Sequence, residues 1–300
     1  MSHVTPPEDT QQRVERFTKV INSHGYPLQY ALLLENERLL QKGESSWHFE
    51  AAEFPVSAGG KDTKIDFILR SVDFDLLLLA ECKRVDDRFS DWCFWKTRFV
   101  RRGGADHVYL EYIFWDEGHG IQAYAQRLTW PSSPGFVHLG ISSETKKKEP
   151  SGKGDNIDRD DAIERSSIQV IRSMNGMAEF YSHHPAAKGQ SKSVWLLPMI
   201  VTTARLWVCN TPLQDADLQS GKYPDVSALE YQEVDHVLYQ YHVSPSLRHH
   251  IPNVRSKTTI SSILALEHIR TIPIVTARGF NKFIRGFEPR SGDIEQLPGS

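Results

Sequence analysis

Apolar positions along the chain fall into helical and extended stretches separated by short polar breaks. Val14, Phe17, Val20 and Ile21 recur at helical spacing and predict a helix over Thr10–Ser23. Gly25-Tyr26-Pro27 ends it, and Pro27 suits the first turn of a second helix, Leu28–Lys42. Leu28, Leu32, Glu35 and Leu39 recur on that helix at four, three and four, which puts Glu35 on the buried stripe. Trp47–Val56 reads as a strand closed by the turn signal Ser57–Asp62. Two compact apolar runs follow, Lys64–Arg70 and Leu76–Arg84, separated by the polar Ser71–Asp75.

The second run carries four consecutive leucines, Leu76–Leu79, a pattern that implies burial on both faces. Further on, His107–Trp115 alternates like a strand, Phe136–Ile141 suggests another, and Ser142–Asn156 reads as a loop. A helix is expected over about Asp160–His183, with Ser167, Ile171, Met174, Ala178 and Tyr181 along one face. It leads into a strand at Val194–Val201, so that strand, helix and strand form a crossover to a parallel neighbour of the leucine strand. Leu206–Cys209 reads as an adjoining strand, and Asp225–Val243 and Ile272–Val275 as others. A short helix is expected around Phe280–Ile284 and a polar tail from Arg285. The fold class expected is α/β of the α+β type, a mixed sheet flanked by helices, with a β-rich insertion after the leucine strand.

If the two apolar runs form a hairpin with Val72–Asp75 as its loop, Ser71 faces Leu76, Leu69 faces Leu78, and Asp66 faces Glu81. Directly opposed side chains share a face, with Cβ atoms about 4.5–5.5 Å apart. Lys83 points the same way as Glu81 and Cys82 the other way. Two carboxylates that close repel, so that one keeps its proton unless a cation intervenes. Mg²⁺ takes oxygen ligands, is often held by one or two carboxylates, and completes its shell with water and phosphate. An ammonium beside it orients or deprotonates the attacking water. The bland alternative, a surface hairpin with solvated charges, leaves Glu81 and Lys83 unexplained at the end of a buried strand.

Ile65-Asp66, fourteen intervening residues and Glu81-Cys82-Lys83 resemble the PD-(D/E)XK nuclease superfamily, of restriction-endonuclease-like fold. Ile65 stands where the motif has proline, the E-x-K is intact, and the resemblance covers roughly Gly25 to Cys209. It implies Asp66 and Glu81 as ligands of Mg²⁺ or Mn²⁺, the Cys82 carbonyl as a further ligand, and Lys83 as the residue that activates water. It also implies a supporting acid on the first core helix, for which Glu35 is the choice and Glu37 the runner-up; an ordinary exposed Glu is the alternative for either. Glu53, late in its strand, is a flanking candidate, its alternative being an edge residue. Gln169 matches a glutamine that some relatives carry near the site, although Ser173 stands where they have tyrosine, and a structural role competes. The activity implied is metal-dependent hydrolysis of phosphodiester bonds in nucleic acid, DNA ahead of RNA. The competing reading is a catalytically silent nuclease-fold protein that binds nucleic acid or serves as a scaffold. Standalone members of the superfamily serve in bacterial defence or DNA processing.

Beyond Lys83 the segment Arg84–Arg102 interleaves basic and aromatic residues. Arg84, Lys96, Arg98, Arg101 and Arg102 are candidate phosphate contacts, with a solvated basic face as the alternative. Trp92, Trp95 and Phe99 are read as core. The net charge of −3 confines any nucleic-acid contact to a local patch. Cys82, Cys93 and Cys209 form no C-x-x-C pair, and the histidines show no zinc spacing, which fits a cytoplasmic protein without a disulfide framework. No signal peptide or membrane span is expected. A homodimer is an open possibility, since two-fold pairs are common where both strands are cut. Ser151–Gly154 lacks the spacing of a phosphate loop, and Asp155–Asp161 lacks the glycine of a calcium loop. The division expected is 1–24, an N-terminal helix; 25–210, a core with an insertion at about 84–157; and 211–300, an extension of the same domain or else a separate module.

Overall fold

The computed structural model describes residues 10–71, 76–85, 90–97, 108–116, 120–128, 136–142, 161–183, 194–210, 217–222, 227, 229–247, 269–286 and 294–295. Helix α1 (Thr10–Ser23) forms where its pattern predicts, but Val14, Phe17, Val20 and Ile21 are all exposed. Helix α2 (Tyr26–Gln41) has Pro27 in its first turn. Its buried stripe is Gln29, Leu32, Asn36 and Leu39, rotated from the expected one so that two amides replace Leu28 and Glu35. The amides are inside because the strand edge gives them partners: Asn36 Nδ2 donates to the Trp47 carbonyl at 2.9 Å.

Strands β1 (Trp47–Ala58) and β2 (Lys61–Ser71) form a hairpin whose tip is Gly59-Gly60. Both glycines have positive φ, 56° and 74°, as a two-residue turn matching strand twist requires. β3 (Leu76–Lys83) pairs antiparallel with β2 in the expected register, Ser71 to Leu76 and Leu69 to Leu78. Helix α3 (Ala162–His183) crosses the sheet and delivers β9 (Val194–Thr202), which runs parallel to β3 from Leu76–Trp195 to Lys83–Thr202. The leucine strand is therefore central, and all four leucines are buried.

Between β3 and α3 come β4 (Asp91–Trp95), β5 (Val108–Asp116), β6 (Gly120–Leu128), β7 (Phe136–Val137) and β8 (Leu139–Ile141), the β-rich insertion expected. The stretch Phe136–Ile141 is two strands, broken at His138, that enter different sheets. β10 (Arg205–Cys209) does not extend the main sheet; it pairs parallel with β4 and antiparallel with β11 (Tyr231–Val234) in a second sheet of order β11-β10-β4-β8. The chain breaks at Asp235 and continues as β12 (His236–His242), so Asp225–Val243 holds two strands where one was expected. β13 (Ile269–Thr276) lies parallel to β9 and antiparallel to β12, completing the path β1-β2-β3-β9-β13-β12-β7. Helix α4 (Phe280–Gly286) follows, and β14 (Ile294–Glu295) pairs with β6.

The main sheet is thus mixed and flanked by helices, with a core on each side. Leu32, Leu39, Phe67, Leu78, Phe280 and Phe283 pack on the α2–α4 side. Ile68, Leu77, Leu79, Val170, Ile171 and Met174 pack on the α3 side, which also receives Trp92 and Phe94 of the second sheet. No helix among the described residues is long and apolar enough to cross a membrane.

Candidate active site at the end of the leucine strand

Alternation along β2 slips at Asp66. Phe67 and Leu69 pack on the α2–α4 side and Ile68 on the α3 side, yet Ile65, two residues from Phe67, also packs on the α3 side. The partner strand slips at the same level: Ala52 packs on the α2–α4 side, while Phe54 and Val56 pack toward α3. Glu53 lies between them with φ of 52°, the left-handed conformation a non-glycine residue rarely takes. The register from Ala52–Phe67 to Phe54–Ile65 sets Glu53 opposite Asp66. Beyond this point the hairpin packs on α3. Phe54 meets Phe180 edge to face, and a Cβ on Gly176 would come within 2.7 Å of Val56, so only glycine admits the approach. Local irregularities of this kind re-aim side chains near sites.

The slip releases Asp66 from the ordinary ladder. The register of β2 with β3 ends at Phe67–Ala80, and the next donor, Cys82 N–H, bonds to Asp66 Oδ2 at 2.6 Å. Gln29 Nε2 donates to the Asp66 carbonyl from α2, so the residue is held from both sides. Glu81, the next position on β3, is buried at 7 % exposure, and among the described residues its Oε2 has no hydrogen-bond partner. Burial, then the neighbouring Asp66, push the Glu81 carboxyl up to about 9, opposed by Lys83. Burial pushes Asp66 up to about 6, against the Cys82 N–H and helped by the charge of Glu53. Burial raises the Cys82 thiol as well. Lys83 is half-exposed, and its carbonyl accepts from Thr203 N–H at 3.1 Å, fixing the strand end to the β9–β10 turn.

Asp66, Glu81 and Lys83 are therefore brought together at one strand end. The two carboxylates and the orphaned Oε2 fit a hard divalent cation, which would supply the missing partner and remove the repulsion between them. Among the described residues no three His, Cys, Asp or Glu side chains converge as a ready metal cluster, so the rest of such a shell falls to carbonyl, water and phosphate oxygen.

The other candidates divide. Glu53 is closer to the two carboxylates than its sequence position suggested: it faces Asp66 across the ladder, its charge acts on Asp66 and Glu81, and Lys64 Nζ lies 3.7 Å from it. Glu35, expected to support the metal, is engaged elsewhere. Arg38 and Asn281 of α4 both donate to it, and chiefly the Arg38 bond lowers its pKa to about 2. Glu37 is exposed and accepts from Gln41. Gln169 is half-buried on α3 and, among the described residues, bonds to neither carboxylate. Arg84 and Lys96 are exposed, whereas Arg98, Phe99, Arg101 and Arg102 lie outside the described residues, as do Val72–Asp75 and most of 142–156. Trp92 and Trp95 are buried, as core aromatics should be. Gln29 and Thr203 were not foreseen; a 29-32-36-39 reading of the helix would have found the first.

Comparison of the chain with protein-family models, curated protein sequences and solved structures returned no significant match.

Proposed function

We propose that the protein is a metal-dependent nuclease that hydrolyses phosphodiester bonds in nucleic acid, with DNA favoured over RNA, and that its core is restriction-endonuclease-like. The order α2-β1-β2-β3-α3-β9, with a parallel β3–β9 pair, supports the fold. The observation that carries the activity is the buried Glu81 carboxylate, whose Oε2 lacks a partner among the described residues, beside an Asp66 that caps the Cys82 N–H.

Asp66 and Glu81 would hold Mg²⁺ or Mn²⁺, with the Cys82 carbonyl as a further ligand. Bound there, the ion supplies Lewis-acid activation of the phosphate and of a water nucleophile. Lys83 sits two residues beyond Glu81 on the same side of β3, where its ammonium orients the attacking water and offsets charge developing on the phosphate oxygens. Thr203 and Gln29 keep the strand ends from shifting under that load. Glu53 tunes the charge around Asp66. Arg84, exposed and next to Lys83, would meet a phosphate. A cytoplasmic setting and a role in bacterial defence belong to the same proposal.

A silent, nucleic-acid-binding scaffold is the competing reading, favoured by the lack of a third converging ligand among the described residues. A plasmid-nicking assay with Mg²⁺ or Mn²⁺ separates the two. Nicking by the wild type and its loss in Asp66→Ala and Lys83→Ala support the nuclease; equal activity in all three removes it. A protein that retards DNA in EDTA and never cuts is the scaffold.

A further inference from the structure

The second sheet has two unlike faces. Leu206 and Val208 of β10, with Trp92 and Phe94 of β4, are buried in the core shared with α3. The alternate positions, Arg205, Trp207 and Cys209 on β10 with Tyr231 and Glu233 on β11, take the outer face. There Cys209 and its β4 neighbour Trp95 are buried, whereas Trp207 is half-exposed and Tyr231 is 60% exposed, so the open part of the face is the Trp207–Tyr231 corner. Their rings meet edge to face with centroids 5.3 Å apart, and the Arg205 guanidinium lies 5.7 Å from the indole centroid. Asp91 of β4 pins the group, accepting from Arg205 Nη2 at 2.9 Å and from Trp207 Nε1 at 2.6 Å. Rings held in one orientation before binding lose little entropy on it. Charge on this face is close to balanced, since Asp91 pairs with Arg205 and Glu233 with Arg278. Stacking, rather than phosphate neutralisation, is therefore what the face offers.

The platform starts at the candidate site. Thr203 N–H holds the Lys83 carbonyl, and two residues later Arg205 N–H donates to the Ser90 carbonyl at 2.6 Å. From Thr203 the chain turns through Ala204 and runs extended only from Arg205, so Trp207 lies at most about 13 Å along the chain from Thr203, a span of no more than roughly four nucleotides at the rise of one DNA strand.

We propose that the outer face of the second sheet, centred on Trp207 and Tyr231, stacks the unpaired bases of a single-stranded nucleic-acid segment whose backbone reaches Asp66, Glu81 and Lys83. The choice of occupant rests on the nuclease reading. Ring-to-base stacking is worth about 1–3 kcal/mol per base and tolerates any sequence. The aliphatic Leu139 and Ile141 are also exposed, at the far β8 edge. A protein partner covering the whole face would use them; a base stacked at Tyr231 would not.

The test measures fluorescence anisotropy of a labelled oligothymidylate and of an abasic oligomer of equal length, both in EDTA. The wild type should bind the thymidylate on the order of tenfold more tightly than the abasic strand. Tyr231→Ala, at an exposed edge position that spares the fold, and Trp207→Ala should each remove most of that margin. Trp207→Phe should keep it, and Ile141→Ser should change nothing. Equal binding of both oligomers by the wild type overturns the inference. So does a Tyr231→Ala protein that discriminates like the wild type, or an Ile141→Ser protein that fails like Tyr231→Ala. Without metal no cleavage occurs, so a protein that cuts but does not discriminate loses this inference alone. One that discriminates but never cuts loses only the nuclease reading.

Discussion

Glu81 at the end of β3 and Glu35 on α2 are the same chemical group at opposite ends of the carboxylate range, about 9 and about 2. Glu35 is half-exposed and satisfied by Arg38 and Asn281, so its charge is welcome. Glu81 is buried beside a second acid, with one oxygen unpartnered among the described residues. A satisfied carboxylate has nothing left to offer a ligand. An unsatisfied one leaves the metal-free fold with an unmet demand that a cation can fill.

The sharpest way to break this contrast is activity. Asp66→Ala and Lys83→Ala should lower Mg²⁺-dependent plasmid nicking by about 10²–10⁴-fold, with circular dichroism unchanged. Glu35→Gln should nick within a few-fold of wild type. A Glu35→Gln protein as inactive as Asp66→Ala would return Glu35 to the site.

The next largest effect is on stability against pH. In the folded, metal-free protein Glu81 and Asp66 hold protons that the unfolded chain releases near 4.5 and 3.8. Their contribution is fully present below those values and is lost as pH rises through about 6 for Asp66 and about 9 for Glu81. The melting temperature in EDTA should therefore fall between pH 5 and pH 9, more steeply in wild type than in Glu81→Gln. Mg²⁺ should raise it more at pH 8 than at pH 5.5, because binding requires the deprotonated pair. Equal Mg²⁺ shifts in wild type and Glu81→Gln would take Glu81 out of the proposed metal site.

A smaller effect is expected behind the site. Gln29→Ala strips the Asp66 carbonyl of its buried donor and should cost about 1–3 kcal/mol in urea unfolding, with nicking reduced less than in Asp66→Ala. The smallest concerns Glu35 again: Glu35→Gln should keep the full Mg²⁺-induced rise in melting temperature. Loss of that rise would mean that the α2–α4 seam and the proposed metal site are one unit.

Much of the architecture was written locally. The leucine run, the Gly59-Gly60 turn and the polar break before Leu76 fix β1 to β3 and their register, because a one-residue slip would bury charge along the whole hairpin. The strand-helix-strand pattern fixed β9 as a parallel neighbour through the handedness and length of such crossovers. That register ends at Phe67–Ala80, one pair short of the expected Asp66–Glu81 pairing, yet it was enough to place Asp66, Glu81 and Lys83 at one strand end.

Tertiary packing decided the rest. Which side of α2 turns inward depended on the amide partners of Gln29 and Asn36 at the sheet, so Glu35 rotated outward to Arg38. The left-handed Glu53 and the slip at Asp66 lie just before the stretch of hairpin that packs on α3, where Val56 meets Gly176 from more than a hundred residues away. β10 left the main sheet because β13, from the far end of the chain, took the place beside β9. Period and propensity report what a segment buries; only the assembled sheet and helices determine which donors, acceptors and neighbours meet it there.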